Sequence, residues 1–188
     1  VLGVGAGPAG LSCAIKLAQA NPDLAIGVLE KAGALGEHSL SGAVTNPSAF
    51  RALFPDLKDA DFPFRQPVAG EAVYYLTEGG ATKLPTPPTM KNHGNFVCSL
   101  SEVVRWLGEQ AEGMGINIFP GFPAESLLVD GKQVIGVRTT PGGLDRDGQP
   151  TDVFQETTDL TARVVVLAEG SRGPLSQAWR EWQGVGSP

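Results

Sequence analysis

Cysteine is scarce in this sequence: there are two among 188 residues, Cys13 and Cys98. They lie far apart and outside any C-x-x-C pair, so they offer no zinc, iron–sulfur or redox-pair site. Cys13 falls in an apolar helical pattern and reads as a small core residue. Histidine is as scarce, with only His38 and His93. Neither has a partner at metal-ligand spacing, no Ser–His–Asp order stands out, and His93 reads as structural. Basic residues are outnumbered, 14 Lys and Arg against 20 Asp and Glu, for a net charge of −6. That balance argues against a nucleic-acid surface, but not against a small nucleotide held mainly by backbone donors. No apolar run approaches the ~20 residues that span a bilayer. The longest, Val164 to Ala168, suits a buried strand, and no signal-peptide pattern is visible.

Glycine and proline are plentiful, 25 and 15, and spread through the chain, which indicates turns and loops rather than disorder. With 41% hydrophobic and 18% charged residues, the composition suits one sizeable core and at most two small domains. The chain opens on Val1, the glycine motif follows almost at once, and the end at Gly184–Pro188 has no stop-like feature. We therefore expect a piece of a longer protein.

Val1 to Val4 reads as a strand. Pro8 to Ala20 reads as a helix, with Leu11, Ala14, Ile15 and Ala18 at helical spacing. Ala25 to Glu30 reads as a second buried strand, completing a βαβ unit with parallel strands. The small, glycine-rich stretch from Lys31 to Val44 suits a loop near a ligand. Asn46-Pro47 opens a short helix to Phe54. Residues 72–76 and 82–84 flank Glu78-Gly79-Gly80 as a hairpin, and residues 70–98 are expected to form a β-rich insertion belonging to a second layer. Ser99 and Glu102 make a capping box for a helix with an apolar stripe of Leu100, Val103, Val104, Leu107, Ala111 and Met114, stopped by Gly115. Ile116 to Phe119 returns as a strand, and 126–129 with 134–138 form another hairpin. Residues 141–152 read as a polar, turn-rich stretch. Val164 to Ala168 is the last buried strand, with a helix starting near Pro174. The fold class is therefore α/β, a Rossmann-like FAD/NAD(P)-binding βαβ domain carrying inserted antiparallel hairpins.

The glycine motif carries the chemistry. Gly5-Ala6-Gly7-Pro8-Ala9-Gly10 follows a strand and opens a helix, and a second strand ends in Glu30, as the dinucleotide fingerprint requires. Gly5 permits the tight turn, Gly7 lets a pyrophosphate approach the backbone, and Gly10 lets helix and strand pack closely. The helix N-terminus, with Pro8 and Ala9, offers free N–H groups and partial positive charge to phosphates. Glu30 can accept hydrogen bonds from a ribose hydroxyl and would repel a 2′-phosphate, which disfavours NADP. This pattern leaves FAD and NAD both open, because they share an ADP half. Asp145, Asp147 and Glu156 take positions 1, 3 and 12 of a possible calcium loop, but Pro150 fills the sixth, where glycine is required. Calcium is rejected there, and no metal-ligating residue is named.

Longer stretches carry a more specific resemblance. Glu30-Lys31, Leu40-Ser41-Gly42-Ala43-Val44, Pro87-Pro88-Thr89-Met90-Lys91-Asn92-His93-Gly94-Asn95, Val104-Arg105-Trp106-Leu107, Phe119-Pro120-Gly121-Phe122, residues 145–150 and Ala168-Glu169-Gly170-Ser171-Arg172-Gly173 occur in order. Over essentially the whole chain they resemble the electron transfer flavoprotein–ubiquinone oxidoreductase family. That resemblance implies FAD, with electrons entering from reduced electron transfer flavoprotein and leaving to ubiquinone through a [4Fe–4S] cluster. It implies that this chain is the N-terminal FAD-binding third. The cluster cysteines, the later FAD motif and most of the quinone-binding part then lie beyond it, so the chain alone is not expected to perform the reaction. It further implies a peripheral position on an energy-transducing membrane, at the bacterial cytoplasmic or mitochondrial matrix face, with contact through other regions. Under it Lys31, Ser41, Gly42 and Ala43 run past the flavin, Ala124 offers backbone to the adenine edge, and Glu169 and Gly170 turn beside the cofactor. No catalytic residue is named, because the flavin ring itself does redox work. Two other readings stay in play: an NAD(P)H-dependent FAD reductase or monooxygenase of the geranylgeranyl-reductase-like type, and a truncated, non-catalytic nucleotide-binding domain.

Overall fold

The computed structural model describes residues 1–40, 42–144, 147 and 149–186. The chain divides into two compact units, Val1–Leu40 with Val104–Pro188, and Ser41–Val103. The first begins with β1 (Leu2–Val4), α1 (Pro8–Ala20) and β2 (Gly27–Glu30). The second holds β3 (Gly42–Thr45), α2 (Ser48–Leu53), β4 (Phe64–Pro67), β5 (Val73–Thr77), β6 (Gly80–Leu84) and β7 (Phe96–Ser99). The division falls within α3 (Leu100–Gly113). The first unit resumes with β8 (Asn117–Pro120), β9 (Ala124–Asp130) and β10 (Gln133–Thr139). It continues through β11 (Gly142–Leu144), β12 (Pro150–Gln155), β13 (Asp159–Thr161), β14 (Val165–Leu167) and α4 (Pro174–Gln183).

In the first unit a parallel sheet runs β14–β1–β2–β8. Gly3 of β1 stands opposite Val166 on one side and Val28 on the other. Val28 in turn stands opposite Ile118 of β8. Strands buried on both faces read as continuous apolar runs, as Val28-Leu29 of β2 does. β14, expected as a buried strand over Val164 to Ala168, is instead half-buried at the edge of the sheet, with Val164 exposed. Helix α1 packs on β1 and β2 through Leu11, Ala14, Ile15 and Ala18, all buried. Leu11 and Ile15 are wholly buried, each stabilising the fold by roughly 1.5–3 kcal/mol. A second core joins Leu2, Val4 and Leu29 of the parallel sheet to Val137 of β10 and Leu175 of α4. The antiparallel layer β13–β10–β9 therefore forms one wall of that core. Thr139 is its buried polar residue, and it is satisfied: its hydroxyl accepts from the Thr158 amide at 3.0 Å and donates to the Thr158 carbonyl.

The second unit contains a sheet of order β3–β7–β4 and the hairpin β5–β6. Its core is aromatic. Phe50, Phe62 and Phe64 pack ring against ring, and Phe64 stacks on Phe96 at 4.9 Å between centroids. Residues 70–98 all lie in this unit.

Several elements depart from the sequence reading. Gly42 to Val44 is not loop but the body of β3, because Gly42 and Ala43 pair with Ser99 and Cys98 of β7. Cross-strand pairing supplies what the local glycine-rich composition does not advertise. β11 and β12 pair within a stretch read as polar turns. Met114, placed on the buried stripe of α3, is exposed, and Cys13 is half-buried. Asp145, the first position of the rejected calcium loop, lies outside the described residues.

Candidate functional site

The three glycines of the turn meet different surroundings. Gly5 has φ +100°, and a Cβ there would stand against the Ala168 carbonyl of the strand beside it. A Cβ on Gly10 would strike the Gly5 carbonyl and crowd the Ala168 side chain. Both positions are therefore closed by the packing of β1, α1 and β14. Gly7 differs: a Cβ there would meet nothing within 4 Å. The fold leaves Gly7 open, and the space beside it is part of a cleft.

Glu30, at the end of β2, ties the turn in place. One carboxylate oxygen accepts from the Ala6 amide at 2.9 Å, the other from the Ala32 amide at 2.9 Å. The Gly5 amide donates to the Leu29 carbonyl at 2.8 Å. The loop after β8 is stitched to the same place, with the Gly121 amide on the Ala32 carbonyl and the Phe122 amide on the Glu30 carbonyl. Gly121 turns with φ +77°, which brings Phe122, Pro123 and Ala124 beside Glu30. Each Glu30 oxygen retains an acceptor lone pair after these bonds, so a hydroxyl could still donate to it.

The cleft has a volume of about 810 Å³ and lies at the C-terminal ends of β1, β2 and β14. Gly5, Gly7, Pro8 and Ala9 line it from the turn, Glu30 and Lys31 from β2. Ala124 lines it from β9, and Glu169 and Gly170 from the loop after β14. Its size lies within the range of small-molecule sites, and ligands of open α/β sheets gather at the carboxyl ends of strands. The first turn of α1 adds donors that the helix itself cannot use, with no acidic residue there to oppose an anion.

Gly10 is buried beneath the turn rather than lining the cleft. Gly42 and Ala43 belong to the other unit, and Ser41 lies outside the described residues. The Glu169 carboxylate serves the fold. It accepts from the Leu175 and Ser176 amides at 3.2 and 2.9 Å and from the Ser176 hydroxyl. It thereby caps α4, whose own cap residue, Gly173, has no side chain to do so. A Cβ at Gly173 would collide with the Glu169 side chain. Reading from the sequence missed His38, Ser39 and Arg172 as lining residues and the Ala6 and Ala32 amides as partners of Glu30. The amides leave no trace in residue type. Arg172 stood inside a stretch that carried the resemblance. Among the described residues no cluster of His, Cys, Asp and Glu could hold a metal ion.

Comparison with known proteins fits this geometry. Residues 4–54 match the family described as NAD(P)-binding Rossmann-like domain. The chain is 45% identical over 93% of its length to the mitochondrial electron transfer flavoprotein-ubiquinone oxidoreductase of Dictyostelium discoideum, and covers 30% of that protein. It is 42% identical over 93% of its length to the electron transfer flavoprotein-ubiquinone oxidoreductase of Pseudomonas aeruginosa, covering 33% of it. The resemblance read from the sequence therefore holds: the chain is homologous to part of those oxidoreductases and spans about a third of their length. The solved structure of a myxobacterial chondrochloren halogenase, described as a FAD-dependent halogenase, shares the fold, with a TM-score of 0.60 at 20% identity, over 94% of this chain and 38% of that one.

Proposed function

We propose, from the homology of this chain to part of the electron transfer flavoprotein–ubiquinone oxidoreductases, that its cleft binds the ADP half of FAD. On this reading it is the flavin-binding portion of an enzyme carrying electrons from reduced electron transfer flavoprotein to ubiquinone. The observation that carries the cofactor is Gly7, whose bare backbone faces open space although nothing in the fold prevents a side chain there. A pyrophosphate approaching the backbone explains that absence. The residues fit the group: the first turn of α1, with Gly7 and Ala9 at the cleft, meets the phosphates, Gly10 lets that turn pack on the strand beneath, and Glu30 accepts from a ribose hydroxyl. Lys31 and the backbone near Ala124 and Gly170 enclose the rest, and Ser41, Gly42 and Ala43 are assigned to the flavin end. Bound FAD supplies the electron chemistry through its ring. The protein's part is to bind, orient and exclude competing anions, as the fixed Glu30 carboxylate does to a 2′-phosphate.

The [4Fe–4S] cluster of the proposed enzyme does not fit this chain, whose two cysteines are too few for the usual four thiolates. Those ligands belong to other parts of the enzyme. So do most of the quinone site and the membrane contact. No helix among the described residues is long and apolar enough to cross a membrane.

Two measurements test the reading. FAD titrated into the chain should quench flavin fluorescence and raise the melting temperature, and ADP should compete. A melting temperature unmoved by either compound would refute the cofactor assignment. For the reaction, the matching third of the Pseudomonas aeruginosa relative is replaced by this chain. The chimera should reduce a ubiquinone analogue with reduced electron transfer flavoprotein as donor. Flavin reduced by NAD(P)H but not by that donor would overturn the electron-transfer assignment while keeping FAD.

A further inference from the structure

We propose that Arg172 is a phosphate-recognising residue of the cleft, its guanidinium meeting the pyrophosphate that the α1 N-terminus receives. This rests on the nucleotide reading above and goes beyond it by assigning a cation to which neither motif nor resemblance gave a role. Arg172 lies in the loop between β14 and α4, two residues past Gly170, whose φ of +85° turns the chain. It lines the same cleft as Gly5, Gly7 and Ala9. Among the described residues its side chain has no hydrogen bond and no ion pair.

Arg172 is exposed, and it is its place in the cleft, with no carboxylate held against it, that makes it available to a ligand. The chain carries a net charge of −6, so carboxylates are in excess. Two of them line the cleft, yet neither serves Arg172. Glu30 is engaged by the Ala6 and Ala32 amides, and Glu169 by the amides and hydroxyl that begin α4. Lys31, which also lines the cleft, is equally without a partner among the described residues. Lys31 and Arg172 are both exposed at the cleft. With the free donors of the α1 N-terminus they can meet the oxygens of an entering dianion, while Glu30 and Glu169 stay hydrogen-bonded to the backbone. The planar guanidinium fork matches two phosphate oxygens, which an ammonium does not.

The test is calorimetric binding of FAD, ADP and adenosine to the chain and to Arg172→Gln and Arg172→Lys. Arg172→Gln should weaken FAD and ADP about tenfold while leaving adenosine, which lacks phosphate, within about twofold. Arg172→Lys should fall between, and the loss should shrink as salt is raised. Unchanged FAD affinity in Arg172→Gln, or an equal loss for adenosine, would overturn the assignment and leave the nucleotide reading standing. If the unmodified chain binds none of the three, the nucleotide reading fails and this inference falls with it. Should Arg172→Gln not fold, Arg172→Lys and the salt dependence of ADP binding decide: a response equal to that of adenosine would overturn the proposal.

Discussion

Gly7 and Gly10 sit three residues apart in one turn, yet their substitution should have opposite signatures. Gly7→Ala places a methyl into open space, so the melting temperature should hold while FAD affinity drops about tenfold or more, read by flavin fluorescence. Gly10→Ala drives a methyl into the Gly5 carbonyl and should destabilise the chain by roughly 2–3 kcal/mol, read by urea unfolding. If Gly7→Ala unfolded the chain as Gly10→Ala does, the turn would be structural throughout. Glu30 shows a limit of reading residue types. An acidic end to β2 was legible, but its service to the Ala6 and Ala32 amides was not, because backbone donors are the same in every residue.

Between elements, side chains fasten what the backbone ladders leave loose. Glu169 caps α4 from the loop before it, and Glu169→Ala should cost about 1 kcal/mol. That loss would appear as a melting temperature lower by roughly 2–4 °C, with no change if the cap is dispensable. Arg138 of β10 and Asp159 of β13 form a two-pronged pair with contacts of 2.6 and 2.8 Å. The hydrogen bonds from Arg138 hold the Asp159 carboxyl below its ordinary value. The folded value is thus lower than the unfolded one, so the pair's contribution is present above the unfolded value and is lost as pH falls through the folded value. Asp159→Asn should melt slightly lower than the unmodified chain near neutrality and equally at strongly acid pH. A difference that persisted in acid would rule the pairing out as its cause. Elements with strong local signals were legible: α1 matches the expected span Pro8–Ala20 because proline at its start and the 3.6-residue apolar period agree. β3 and β4 were not, since each is short and exists through pairing with distant β7, and β11 and β12 were not, since their local pairing joins residues with no alternating apolar pattern.

At the scale of the whole molecule, the cleft draws on segments widely separated in sequence. Ligand binding should therefore slow amide hydrogen exchange in several places together: residues 5–9, 30–32, 122–124 and 169–172. Protection confined to the glycine turn would contradict a single cleft built from all four. The parallel sheet and its nucleotide role were legible because strand, turn, helix and acidic strand end follow one another within 30 residues. The second unit runs from Ser41 to Val103, and its second boundary falls inside α3, where the helical pattern runs on unbroken and marks no division. The turn itself has an evolutionary consequence. Gly5 and Gly10 are held by the packing of the fold, whereas Gly7 answers only to what enters the cleft. A descendant that gave up its nucleotide would keep the first and last glycines for as long as it folded, and would let the middle one drift. In that lineage a side chain at position 7 would be the earliest mark of a lost cofactor.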